Sequence, residues 1–208
     1  MISHKYKCIF IHIPRTAGSS IEKWICGDDW WNIEKPTKHL LASQTKKLYK
    51  NYWNNYYKFS IVRNPWDRMF SCLRFSNYFK LKLENGIINI SGYKKLFTYN
   101  DIILEHDYRF SKKKDLISEN HDKNTIYGNI LDERIDKIIK FENLNEEIKN
   151  LKELLVIKEE FNFFLNKSKK NKDFKNFYDK KSRKEVNNIF RKDIENYNYS
   201  FYDNIAQK

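Results

Sequence analysis

Residues 8–21 read Cys8-Ile9-Phe10-Ile11-His12-Ile13-Pro14-Arg15-Thr16-Ala17-Gly18-Ser19-Ser20-Ile21, an apolar run of strand length that stops at a proline and passes into small and hydroxyl residues. A strand that feeds a tight turn and then a helix aims backbone N–H groups and the positive helix end at one point, where an anion can sit without a metal. Arg15 adds a full charge at the front of that loop. A Walker-type nucleotide loop requires G-x-x-x-x-G-K-[ST]; here Ile13 stands at its first Gly and Ser19 at its Lys, so an ordinary ATP or GTP site is a poor match.

The rest of the chain supports the same kind of fold. Lys7 to Ile13 is nearly continuous in apolar residues, as suits a strand buried on both faces, and Ser19 to Ile25 can open a helix. A polar, Trp-bearing connection at Gly27 to Lys38 leads to a second expected helix, Leu40 to Trp53, and Phe59 to Val62 is the next buried strand. Asn64-Pro65 supplies an N-cap and a proline at the first helical position, with Asp67 in the first turn. Gly86 and Gly92 punctuate a stretch that runs through His106 to Gly128 without a clear pattern. Ile135 to Phe141 reads as a strand and Leu144 to Leu155 as a helix, while Val186, Ile189, Phe190, Ile194 and Tyr197 stripe a last helix. The expectation is an α/β fold, a single P-loop-like domain over residues 1–208 with a parallel sheet flanked by helices. In such a sheet Arg15 and Arg63 fall at strand carboxyl ends, where α/β proteins bind ligands.

Two segments carry a resemblance to a known family. Pro14-Arg15-Thr16-Ala17-Gly18-Ser19-Ser20 resembles the 5′-phosphosulfate loop of sulfotransferases that use 3′-phosphoadenosine 5′-phosphosulfate (PAPS), in the branch that includes heparan sulfate 2-O-sulfotransferases. Lys58-Phe59-Ser60-Ile61-Val62-Arg63-Asn64-Pro65-Trp66-Asp67-Arg68-Met69-Phe70-Ser71 is similar to that family's 3′-phosphate motif, a strand ending in Arg, then Pro, then a helix with Ser eight residues after the Arg. Weaker likeness runs through residues 134–144, touches Asn166-Lys167-Ser168 and returns at residues 193–201; residues 80–133 match poorly.

The resemblance implies PAPS as sulfuryl donor, adenosine 3′,5′-bisphosphate as product, no metal, and a hydroxyl of a carbohydrate or glycan as acceptor. Pro14, Arg15, Thr16, Ala17, Gly18, Ser19 and Ser20 would form the 5′ loop; Arg63 and Ser71 would take the 3′-phosphate, Ser71 lying on the helix face of Asn64 two turns on. Arg15 occupies a place where many relatives have Lys; it would stabilise a leaving phosphate that needs no proton. His39, in Lys38-His39-Leu40, resembles the position of the family's catalytic base, with His12 as the second candidate and His121 a remote third. Each has a plainer reading: an Arg63 ion pair closing the sheet, a packed Ser71, helix capping by Ser19 or Ser20, and an exposed or capping His39.

Composition narrows the partners. A formal charge of +13 calls for an anionic one, which a nucleotide donor and an acidic glycan satisfy. The run Lys167-Ser168-Lys169-Lys170-Asn171-Lys172 serves a solvated surface or binding equally well. Lys and Arg interleaved with aromatics leave a nucleic-acid-binding protein as one alternative, although no such module is legible, and a P-loop-like nucleotide kinase as another, although its loop Lys and Mg²⁺ carboxylates are missing. The 3 cysteines and 5 histidines show neither C-x-x-C nor H-E-x-x-H spacing, so a metal site is unsupported and the thiols read as structural, in a reducing, cytoplasmic setting. No run approaches the roughly 20 apolar residues of a membrane span. Golgi members of the resembled family carry an anchor, so a soluble relative or catalytic domain is expected.

Overall fold

A computed structural model describes residues 1–74, 82–90, 124–162 and 173–203. In chain order the described strands are β1 (Ile2–Ser3), β2 (Cys8–Ile11), β3 (Tyr57–Val62), β4 (Lys82–Glu84), β5 (Ile87–Asn89) and β6 (Lys137–Lys140). The described α-helices are α1 (Gly18–Cys26), α2 (Trp30–Glu34), α3 (Ala42–Leu48), α4 (Lys50–Trp53), α5 (Pro65–Arg74), α6 (Tyr127–Ile130), α7 (Leu144–Leu154), α8 (Lys180–Ile189) and α9 (Arg191–Asn196). They fall into two compact units, Met1–Val62 with Ile130–Lys167, and Arg63–Asn129 with Ser168–Lys208.

The first unit holds a mixed sheet in the order β1-β2-β3-β6. β2, β3 and β6 run parallel, with Cys8 opposite Tyr57, Ile11 opposite Ser60, Phe59 opposite Lys137 and Val62 opposite Lys140. The short β1 pairs antiparallel on the β2 side, Ile2 against Ile9. Strand alternation sends Cys8, Phe10, Phe59, Ile61 and Ile139 to one face, where they form a core with Ile21, Trp24 and Ile25 of α1 and Leu144, Ile148 and Leu151 of α7. Ile9, Ile11, Ser60 and Val62 are buried as well, which is why the sequence shows an unbroken apolar run there. Ser60 is tolerated among them because its hydroxyl donates to the Ile11 carbonyl at 2.7 Å.

The expected parallel sheet with flanking helices is therefore present, with differences in detail. The connection at Gly27 to Lys38 is partly helical: Asp29 caps α2 by accepting from the Trp31 N–H at 2.8 Å, and the 3₁₀ turn Lys35–Thr37 follows. The helix expected over Leu40 to Trp53 breaks at Tyr49, whose backbone leaves the helical region at φ −107° and ψ 35°. Eight residues after Thr45 an unbroken helix would turn Trp53 about 80° away from the buried side, and the break lets both be buried. The strand expected over Ile135 to Phe141 is shorter, Lys137–Lys140, with Phe141 already in a 3₁₀ turn.

The second unit opens on α5. Asn64 caps it, Oδ1 accepting from the Trp66 N–H at 3.1 Å, with Pro65 first in the helix and Asp67 in its first turn. Trp66, Met69, Phe70 and Cys72 are buried. β4 and β5 form a hairpin closed by Asn85 at φ 50° and Gly86 at φ 80°. That is the two-residue turn an Asn-Gly pair favours, so this much of the patternless stretch was readable. The expected last helix is two, broken at Phe190. Val186 and Phe190 are fully buried, but the next buried position is Asp193 and not Ile194. Its carboxylate accepts from the Thr125 hydroxyl and from the N–H groups of Ile126 at 2.7 Å, Tyr127 at 3.2 Å and Gly128 at 3.3 Å. Gly92, His106, His121 and the lysine run at 167–172 lie outside the described residues. Among those described, no helix is long and apolar enough to cross a membrane.

Candidate functional site

The loop after β2 takes its shape from two residues that are not glycine. Arg15 at φ 69° and Ala17 at φ 73° both adopt left-handed backbone, a conformation that costs an L-residue about 1–2 kcal/mol. Between them Thr16 is fully buried, and its hydroxyl donates to the Ile13 carbonyl at 2.8 Å, which closes the turn. Ala17 is the N-cap of α1; its carbonyl accepts from the N–H groups of Ser20 at 3.0 Å and Ile21 at 3.2 Å, and no side chain caps the helix. The positive end of α1 thus opens at the loop, with half-buried Arg15 preceding it. Ala17, and neither Ser19 nor Ser20, occupies the N-cap position.

Behind the loop lies a buried polar cluster centred on Glu22. Gly18, Ile21, Glu22 and Ile25 share the inner face of α1, which puts a carboxylate among apolar side chains. Oε1 of Glu22 accepts from His12 Nδ1 at 2.6 Å, and Oε2 accepts from Lys38 Nζ at 2.8 Å and from the Trp30 N–H at 3.2 Å. Lys38 is also bound to Ser19 Oγ at 3.1 Å and to Asp29. Burial works to raise the pKa of Glu22, yet His12 and Lys38 outweigh it and hold the group below its ordinary 4.5. For His12 burial wins over the pull of Glu22, so its pKa lies below the ordinary 6.5 and the ring is neutral at pH 7. Its Nδ1 then carries the proton given to Glu22.

Gly18 is fixed by contact and not by backbone freedom: a Cβ there would stand 2.2 Å from His12 Nε2 and 2.3 Å from Cδ2. His39, half-buried, meets the same ring edge-on with centroids 4.5 Å apart, and its Nδ1 lies 3.5 Å from the His12 carbonyl. The first unit therefore brings together the loop, Gly18, Ser19, His12 and His39. His12 follows β2 and does not sit within it.

Arg63 and Ser71 belong to the second unit. Arg63 directly precedes the Asn64 cap, and its Nε and a terminal nitrogen approach Asp67 Oδ2 at 2.8 and 2.7 Å. Its carbonyl accepts from the Tyr127 hydroxyl. Ser71 is buried on α5. The ion-pair reading of Arg63 thus has a partner in Asp67, four residues on.

Sequence reasoning passed over Glu22, Asp29 and Lys38. Among the described residues, no group of three or more His, Cys, Asp or Glu side chains could hold a metal ion. Cys8, Cys26 and Cys72 form no disulfide, and burial pushes the Cys8 thiol up to about 12 and that of Cys26 up to about 11, which leaves these two poor nucleophiles.

The fold is thus an α/β sheet with a parallel core, whose first core strand runs through a left-handed loop into a helix, with an imidazole packed beside the turn. The chain matches the Sulfotransferase family over residues 1–200, and it belongs to that family of sulfuryl-transferring enzymes. No curated protein and no solved structure gives a significant match.

Proposed function

We propose that residues 1–208 form one PAPS-dependent O-sulfotransferase domain that acts in the cytoplasm on a hydroxyl of a carbohydrate or related glycan. The observation that carries this reading is the open, uncapped start of α1 behind Arg15, with His39 held in the same unit. The donor would supply a sulfuryl group already activated on phosphate. The N–H groups of the Pro14–Ser20 loop and the Arg15 guanidinium suit its phosphosulfate end, and Arg63 with Ser71 suits its 3′-phosphate.

Sulfuryl transfer asks for positioning, charge stabilisation and a base rather than covalent work by the protein. Arg15 neutralises charge growing on the phosphate oxygen. His39, with Nδ1–H directed at the His12 carbonyl, presents Nε2 as the proton acceptor for the attacking hydroxyl. The charge of +13 favours an acidic acceptor.

Calorimetric titration with adenosine 3′,5′-bisphosphate tests the donor site without knowledge of the acceptor, and transfer of radiolabelled sulfate from PAPS to a glycan panel tests the rest. Binding of the bisphosphate in preference to adenosine 5′-phosphate is expected. Equal, salt-sensitive binding of unrelated oligonucleotides with no response to the bisphosphate would return the chain to the nucleic-acid reading.

A further inference from the structure

Resting on the assignment of His39 as base, we propose that Glu22 is the positioning residue of the site: from α1 it fixes His12 with one carboxylate oxygen and Lys38 with the other, and through them it seats His39 and selects its tautomer. Glu22 is fully buried and accepts three N–H bonds, from His12, Lys38 and Trp30. A carboxylate so engaged has little freedom to turn, and its three donors come from the residue after β2, the start of α2 and the segment before α3.

The two side chains it fixes flank His39 from different directions. Lys38 precedes His39 in the chain, and its ammonium has one partner for each of its three protons: Ser19, Glu22 and Asp29. Holding that ammonium fixes the backbone from which His39 projects. His12 approaches through space, with its carbonyl 3.5 Å from His39 Nδ1 and its ring edge-on at 4.5 Å. A carbonyl only accepts, so this contact requires the proton on Nδ1 and leaves the Nε2 lone pair to take a proton from substrate.

The state of His12 matters for the same reason. Were it an imidazolium, it would oppose protonation of His39 from a centroid distance of 4.5 Å. Burial keeps it neutral, and Glu22 holds the neutral ring by Nδ1–H. The same carboxylate reaches the phosphate loop through Lys38 and Ser19, so the seat of the anion and the seat of the base share one buried anchor.

The test is the tautomer of His39, read by two-bond ¹H–¹⁵N correlation on the full chain labelled with ¹⁵N-histidine. In the wild type both His12 and His39 are expected with the proton on Nδ1; a His39 protonated on Nε2 overturns the proposal without any variant. Glu22→Gln keeps the shape of the side chain and removes its charge. In the folded variant His39 is expected to divide between tautomers and kcat to fall ~10–100-fold. A folded Glu22→Gln protein with the wild-type His39 tautomer and kcat overturns the proposal. A changed His39 tautomer in the variant, beside a wild type that transfers no sulfuryl group, supports the positioning role and removes the sulfotransferase reading alone.

Discussion

Gly18→Ala adds one methyl group where the structure leaves no room, and the size of the effect follows from what surrounds it. The new Cβ meets three atoms of the His12 ring at 2.2, 2.3 and 2.5 Å, well inside any tolerable contact. The ring cannot easily withdraw. Its Nδ1 is held by Glu22 at 2.6 Å, and Phe10 and His39 lie against it at centroid distances of 5.7 and 4.5 Å. Overpacking a fixed site of this kind costs about 1–3 kcal/mol. For a chain of 208 residues that lowers Tm by roughly 2–12 °C, measurable by calorimetry or circular dichroism. The informative comparison is the same change in His12→Ala. With the ring gone those three contacts disappear, and because Gly18 lies within α1 the alanine is expected to stabilise the helix by about 0.5–1 kcal/mol. The sign of the Gly18→Ala effect therefore reverses between the two backgrounds. An equal loss of stability in both would show that the helix start, and not the His12 ring, excludes the side chain.

Arg15→Ala is expected to lower kcat by ~10² or more with a smaller change in product-nucleotide affinity, and Arg15→Lys to recover much of the loss, since the contact strengthens as charge develops. An unchanged kcat in the folded, saturated variant removes Arg15 from the mechanism. Arg63→Ala should weaken adenosine 3′,5′-bisphosphate by about 1.5–3 kcal/mol and adenosine 5′-phosphate by less, read by parallel titrations; equal losses would assign Arg63 to its ion pair with Asp67 alone. His39→Ala should leave bisphosphate affinity within about threefold while sulfuryl transfer falls by ~10²–10⁴, and near-normal turnover would pass the role of base to His12.

What could be read from the sequence was whatever one local pattern determines. The strand at β2 and the start of α5 were legible because a buried run, an Asn cap and a first-turn Pro each act within a few residues. The breaks at Tyr49 and Phe190 were not, since both serve burial of side chains set by the tertiary fold, Trp53 in one unit and Asp193 in the other. β1 was missed because two residues on a sheet edge leave no periodicity to detect. The loop's conformation was hidden for another reason: left-handed backbone at Arg15 and Ala17 contradicts the usual preference for glycine, so the residues there conceal the turn they make.

The polar cluster behind the loop left a signal that periodicity does carry. Positions 18, 21, 22 and 25 form one stripe at helical spacing, and three of them suit a core while the fourth is Glu22. A carboxylate on an apolar stripe must meet a cation and N–H donors or lose its charge, because burial without partners costs several kcal/mol. Its partners could not be read from spacing, since His12, Lys38 and the Trp30 N–H lie 10, 16 and 8 residues away and meet only when the loop and α2 are folded against α1. The same folding makes His39 more than an isolated histidine before a helix. The motif singles out the residue, and on the proposed reading the buried carboxylate seven residues beyond Arg15 gives it a fixed orientation beside the loop.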